Sequence, residues 1–161
     1  MQPGFFFYKV IKMIIEIWTK EKYAKNEEEG FIGRMAHAGL KVKKARLSRL
    51  YRVDADFTRK EFDEIASELL TDKITEHYSL SAGKAGLKQA CRVEIWLKDS
   101  VTDVVGESVK GAIADVLGKE PASVRFGRAY YVPRANAPAL KRAVTRTLVN
   151  EVVNKFKIEN C

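Results

Sequence analysis

The chain repeats itself, and that repeat constrains what it can fold into more than any other feature. Glu16-Ile17-Trp18-Thr19-Lys20 returns as Glu94-Ile95-Trp96-Leu97-Lys98, 78 positions later, and Gly33 and Ala36 return as Gly111 and Ala114 at the same displacement. One inserted residue then moves the register to 79. Gly39 meets Gly118, and Arg46-Leu47-Ser48-Arg49-Leu50-Tyr51-Arg52-Val53 meets Arg125-Phe126-Gly127-Arg128-Ala129-Tyr130-Tyr131-Val132. Farther on, Ile65, Leu69 and Ile74 are matched with Val144, Leu148 and Val153. The period exceeds that of solenoid repeats, so the expectation is a duplicated domain and not an array. Each copy has about half of 161 residues with which to build a core, a size at which isolated units are marginal, so the two copies are expected to share an interface.

Within each copy the apolar pattern spells β-α-β-α-β. Met13 to Trp18 and Arg92 to Leu97 are short Ile-, Val- and Trp-rich runs that predict the first strands. Val109, Ala112, Ile113, Val116 and Leu117 form a helical stripe closed by Gly118, with Asp103 as its N-cap. The first copy places Asn26 and Glu27 to Glu29 at the corresponding helix entrance, then Phe31, Ile32, Met35 and Ala36, and closes at Gly39. Ala45 to Val53 and Val124 to Val132 predict middle strands, with a bulge or bend near Ser48-Arg49 and Gly127-Arg128 where alternation breaks. Thr58 to Glu61 has capping-box spacing ahead of Phe62, Ile65, Ala66, Leu69 and Leu70, and Asn136 with Pro138 starts the other second helix. Last strands are expected over Ile74 to Tyr78 and Val153 to Ile158. Ser81 to Ala90, with Gly83 and Gly86 and little that packs, reads as a linker. The expected organisation is an N-terminal extension of the first strand over 1–12, a repeat over 13–80, a linker over 81–88 and a second repeat over 89–161. The fold class is α+β: antiparallel sheets with helices on one face, paired as a pseudo-dimer. Trp18, Trp96, Tyr51, Tyr130 and Tyr131 are expected to cover the open face of the sheets.

Composition excludes several chemistries. No phosphate-binding loop, dinucleotide fingerprint, HExxH or GxSxG occurs, and two histidines and two distant cysteines make a zinc site a poor fit. No cofactor is expected. A Cys91–Cys161 disulfide would require the end of the chain to meet the start of the second copy's first strand, and free thiols in an intracellular protein are the expectation. Met1 to Lys12 lacks the features of a signal peptide, and no apolar run approaches bilayer length. The net charge of +8 lies mainly in the second half: residues 1–80 hold 15 basic and 13 acidic residues, residues 81–161 hold 14 and 8. Lys141, Arg142 and Arg146 read as a solvated helix face.

Written out this way, each copy resembles PurS, the small subunit of phosphoribosylformylglycinamidine (FGAM) synthase. In the second copy, Val101-Thr102-Asp103-Val104-Val105-Gly106 stands where the family has a GV-x-DP-x-G turn and Val124-Arg125-Phe126-Gly127-Arg128 where it has V-R-x-G-K. Leu148 to Phe156 stands where the family has LL-x-NPVIE-x-Y, and Leu69 to Tyr78 echoes that last motif. Val104 replaces the turn proline, Ser48 replaces the first copy's middle-strand glycine, and Tyr23 to Gly30 has lost the turn pattern. Family members are single-copy dimer builders, so the resemblance implies a covalent equivalent of a PurS dimer. It further implies a non-catalytic cytoplasmic subunit that bridges the large synthetase and glutaminase subunits in purine biosynthesis and assists ammonia transfer, with self-association open to it. Arg46, Arg49, Asp103, Gly106, Arg125, Gly127 and Arg128 become the candidate partner or interface residues. The competing readings are a paired small-ligand-sensing domain and a basic RNA-binding module; against the latter stand the lack of an aromatic RNP-like cluster or GXXG clamp and the modest charge.

Overall fold

A computed structural model describes residues 9–161. The element order is β1 (Ile11–Thr19), α1 (Lys25–His37), β2 (Arg46–Ala55), α2 (Arg59–Glu64), β3 (Glu76–Ser79), β4 (Ala90–Leu97), α3 (Val104–Leu117), β5 (Ser123–Pro133), α4 (Ala137–Thr147) and β6 (Asn154–Glu159). The β-α-β-α-β order therefore occurs twice. The expected extension of the first strand over 1–12 falls largely outside the described residues; within them, β1 begins at Ile11.

All six strands join one antiparallel sheet in the order β3-β1-β2-β5-β4-β6. That order reads the same from either end once each strand is exchanged for its counterpart. The registers agree residue by residue: Ile17 faces Arg49 and Tyr78, and Ile95, its counterpart, faces Arg128 and Phe156. At the centre β2 pairs with β5, and Arg49 faces Arg128, its own repeat equivalent. A pseudo-two-fold axis thus passes through the seam at that pair, the geometry of an isologous contact built inside one chain.

The helices cover one face, but they are not distributed half by half. One core joins Phe31, Met35, Val42 and Ala45 of the first half to Cys91, Val93, Ile95, Tyr130, Val132, Leu140, Ala143 and Val144 of the second. The other joins Ile15, Ile17, Tyr51, Val53, Phe57, Phe62 and Ile65 to Ile113 and Val124. Helix α1 consequently lies beside α4, with the Phe31 ring stacked 5.0 Å from that of Tyr130, and α3 lies beside the segment that continues α2. Each half donates its first helix to the other half's core. Burial of such apolar surface stabilises by roughly 25 cal/mol per Å², so neither core is complete without both halves.

Local sequence accounts for most element ends. Thr58 and Glu61 form the expected capping box, and Asp103 and Asn136 cap α3 and α4. Gly118 closes α3 at φ +68°, and Gly39 follows α1 at φ +90°, both in the left-handed region that glycine enters freely. Phe31 and Met35 match Val109 and Ile113 at 78, and the register has moved to 79 by Gly39 and Gly118, at the ends of the helices.

Several expectations are corrected. The register returns to 78 before the second helices: the caps Thr58 and Asn136 correspond, as do buried Phe62, Ile65 and Ala66 with Leu140, Ala143 and Val144, so Ile65, Leu69 and Ile74 do not match Val144, Leu148 and Val153. Neither middle strand is bulged, because pairing runs unbroken from Arg46↔Tyr131 to Asp54↔Ser123. Asn26 is not a cap; α1 begins at Lys25 after Ala24, with no side chain capping it. The last strands start two residues and one residue late, since Asp72 Oδ1 accepts the amides of Ile74 and Thr75 and Asn150 Oδ1 that of Val152, holding both segments as turns. Tyr51 and Tyr130 lie in the helix-side cores, leaving Trp18, Trp96 and Tyr131 on the open face. The linker does pack: Ala85 is buried against that face, in a cluster with Leu50, Ala129 and Tyr131. Cys91 and Cys161 are joined in a disulfide, because β6 pairs with β4 and brings the residues just beyond it alongside Cys91.

Met35→Ala tests the shared core. Its removal of a fully buried side chain is expected to destabilise the whole chain by roughly 2–5 kcal/mol, with urea unfolding still a single transition by both fluorescence and circular dichroism. Two separated transitions, with only the first shifted, would mean that each half carries its own core.

Candidate partner interface

The seven residues singled out by sequence are not gathered in one place. Asp103, Gly106 and Arg125 meet at the junction of β4, α3 and β5. Asp103 Oδ1 accepts the Gly106 amide at 2.8 Å, while its other oxygen accepts the Phe126 amide at 2.7 Å, so one buried carboxylate ties the helix start to the middle strand. Gly106 is pressed onto that strand: a Cβ there would lie 2.3 Å from the Val124 carbonyl oxygen. Arg125 donates to the carbonyl oxygens of Leu97, Lys98 and Val101 and so fixes the loop between β4 and α3. Gly127, on the opposite face, leaves room for the Trp96 ring, since a Cβ there would lie 2.6 Å from ring carbon Cε3. These are joints of the fold.

The first half has lost this joint. Ala24 stands in place of Asp103, and Arg46, the counterpart of Arg125, sits half-buried at the start of β2 opposite Tyr131. Glu28 stands 78 residues before Gly106 and accepts the Ala45 amide at 3.2 Å, and Ser48, which replaces Gly127, donates to the buried Glu16 carboxylate.

Arg49 and Arg128 are brought together on the helix side of the seam. Like charges directly opposed across strands repel, and the two arginines resolve this differently. Arg49 forms a two-pronged ion pair with Glu76 and also donates to the Leu70 carbonyl oxygen at 3.2 Å. Burial works to raise the Glu76 carboxyl, but the Arg49 hydrogen bond overcomes it and holds the group below the usual carboxylate range. In the second half Asn154 stands where Glu76 does. Arg128 accordingly has no ion-pair partner among the described residues; it is exposed, with its guanidinium 5.8 Å from the Phe126 ring centroid.

Two related grooves flank the axis. One, of about 280 Å³, is lined by Trp18, Glu27, Arg34, Arg49, Arg128 and Tyr130 among others. Partial burial raises the Glu27 carboxyl despite a hydrogen bond to Thr19. Its counterpart, of about 320 Å³, has Val105, Phe126, Gly127 and Leu148 in its lining and shares Arg128 and Tyr130. The two linings differ in side chains, with Glu27, Arg34 and Arg49 in the first groove and Leu97, Val105 and Leu148 in the second.

Sequence reasoning missed a buried polar cluster on the open face. Glu16 is fully buried and accepts from the Tyr131 hydroxyl at 2.7 Å; Arg92 is ion-paired with Glu94 and donates to Tyr131 at 3.0 Å; Trp96 Nε1 donates to Glu94 at 2.6 Å. The signal was present in the repeat itself, which keeps a glutamate in mid-strand at Glu16 and Glu94. Burial tends to raise the Glu94 carboxyl, but Arg92 and Trp96 outweigh it and hold it low, while burial and then Glu16 push the Tyr131 phenol well above its ordinary range. No group of three or more histidine, cysteine or carboxylate side chains able to hold a metal occurs among the described residues, and no helix among them is long and apolar enough to cross a membrane.

Residues 90–160 match the family model PurS, phosphoribosylformylglycinamidine (FGAM) synthase. The PurS match spans the joint built by Asp103, Gly106 and Arg125 and reaches the end of β6. No curated protein matches the chain.

Two outcomes follow from this geometry. Gly106→Ala is expected to destabilise by about 1–3 kcal/mol in urea unfolding, because a backbone oxygen has nowhere to retreat, and an unchanged midpoint would contradict the close contact. Because the Glu94 carboxyl is lower in the folded chain than in the unfolded one, its contribution is fully present above the unfolded pKa of about 4.3 and is lost as pH falls through the folded value. Thermal unfolding of Glu94→Gln should therefore fall less steeply than that of the unsubstituted chain between pH 6 and pH 3, as judged by circular dichroism; parallel curves would contradict the assignment.

Proposed function

We propose that the chain is a tandem pair of PurS-like units, over 13–80 and 89–161 with 81–88 between them, acting as a non-catalytic subunit of an FGAM synthase complex in purine biosynthesis. The observation that carries this reading is the PurS match over residues 90–160. The doubled β-α-β-α-β order and the matched strand registers support extending it to the first half. On this reading the chain is a covalent counterpart of a PurS dimer, working in the cytoplasm between the synthetase and glutaminase subunits and helping ammonia pass between them. Retaining ammonia against loss to water demands tightly fitted contacts, and a rigid sheet backed by interlocked cores provides an undeforming surface for them.

The groove at the axis is the proposed contact surface. Arg128, exposed and without a paired carboxylate, and the outer part of Arg34 supply charge that a partner's carboxylates can meet, whereas Arg125, Asp103, Gly106 and Gly127 act by shaping the surface.

Co-expression with the synthetase and glutaminase subunits tests the proposal. A ternary complex is expected on size exclusion, weakened by about tenfold or more in Arg128→Ala with thermal stability unchanged. Arg125→Ala should instead lower thermal stability. Failure of the chain to join either subunit, or copurification of salt-released RNA in their place, would overturn the reading.

A further inference from the structure

The face of the sheet away from the helices is covered on one side of the axis only. The pseudo-two-fold exchanges Glu16 with Glu94, Trp18 with Trp96, and Tyr131 with Arg52. Over the first of each pair lies the connection between the halves. The Gly83 amide donates to Glu16 Oε1 at 2.7 Å, Ala85 is buried beside Leu50 and Tyr131, and Leu87 packs in the same cluster as Trp18. Gly86 fits so closely that a Cβ would lie 2.8 Å from the Tyr131 ring. A turn-forming run rich in small residues thus seats on this half of the face.

The related half is an open trough of about 290 Å³, with Trp96 and Ile14 among its lining, and nothing among the described residues lies over it. Its rim carries Arg52, Arg125, Lys155 and Lys157 against Glu94 and Asp99. Lys155 meets Asp99 at 3.1 Å and Lys157 meets Glu159 at 2.7 Å, both at the surface, where such pairs exchange readily. Arg52 lies 3.6 Å from Asp54, yet its Nε is buried without a hydrogen-bond partner, as is Asp54 Oδ1. The Arg52 side chain is 36% exposed, so it remains open to a partner's carboxylate.

We propose that this trough docks a turn-forming segment of a partner protein, small-residued beside Arg52, the counterpart of Tyr131, and bearing carboxylates for Arg52, Lys155 and Lys157. The shape requirement comes from the chain's own connection, which fills the equivalent position; the charge requirement comes from the rim. The chain's own residues Met1 to Tyr8 carry no carboxylate and do not meet the second requirement. The inference stands apart from the purine-synthesis reading, and its test uses no other subunit.

The experiment uses the full chain with Trp18→Phe, so that Trp96 is its single tryptophan. The probe is a synthetic peptide copying residues 81–89 with Lys84→Glu and Lys88→Glu. Saturable change in Trp96 emission is expected, weakened about tenfold for the peptide that keeps both lysines and by a similar factor in Arg52→Ala, with circular dichroism unchanged. Equal affinity of the two peptides, or no saturable change, would overturn the proposal. So would the same emission change and competition by inorganic phosphate alone, which would make the trough a small-anion site. Binding seen only after removal of residues 1–8 would also overturn it, by making the chain's own N-terminal segment the occupant.

Discussion

The seam between β2 and β5 is the contact on which everything else rests. Its pairing, unbroken from Arg46↔Tyr131 to Asp54↔Ser123, turns two three-stranded sheets, each with an open edge in its middle strand, into one six-stranded sheet. Exposed strand edges invite uncontrolled association, and the seam satisfies two of them at once. It also places α1 over the second half and α3 over the first, so the apolar stripes of the helices find partners only because the strands have joined. Seam and cores are one cooperative structure.

Approximate symmetry orders the likenesses and differences between the halves. Where both halves must fit the same backbone, residues stay alike: Ile17 and Ile95, Trp18 and Trp96, Glu16 and Glu94, and the left-handed glycines Gly39 and Gly118. Where the surface is free to change, they part. Asn154 stands where Glu76 does, leaving Arg128 without the carboxylate that Arg49 keeps, and Gly106 has Glu28 as its counterpart. A homodimer must present each groove twice; a single chain with this fold presents two different ones, and that freedom is what the proposed bridging role uses.

The α+β class, both β-α-β-α-β orders and three of the helix caps were legible in the sequence, because they depend on residues close together along the chain. Thr58, Asp103 and Asn136 each cap a helix whose first turn they precede by a few positions. The bulge expected at Gly127 was wrong because the glycine answers to the Trp96 ring on a neighbouring strand, a demand that alternation along β5 cannot express. The packing of Ala85 and the polar cluster around Glu16 were illegible for the same reason: Leu50 lies 35 positions from Ala85 and Tyr131 lies 115 from Glu16, on a face whose cover is the connection itself. Of the candidate residues, spacing distinguished the arginines that face outward from those that hold the loop only after Arg125 was seen donating to three carbonyl oxygens.

Native-state hydrogen exchange at the seam tests the central claim most directly. Amides of Leu47 to Val53 that bond to β5, and their partners in Phe126 to Val132, are predicted to open only with global unfolding, at the same free energy in both halves. Seam amides that exchange at distinctly lower free energy than those joining β1 to β2 and β4 to β5 would show two independently stable halves that separate while folded, and would contradict the account.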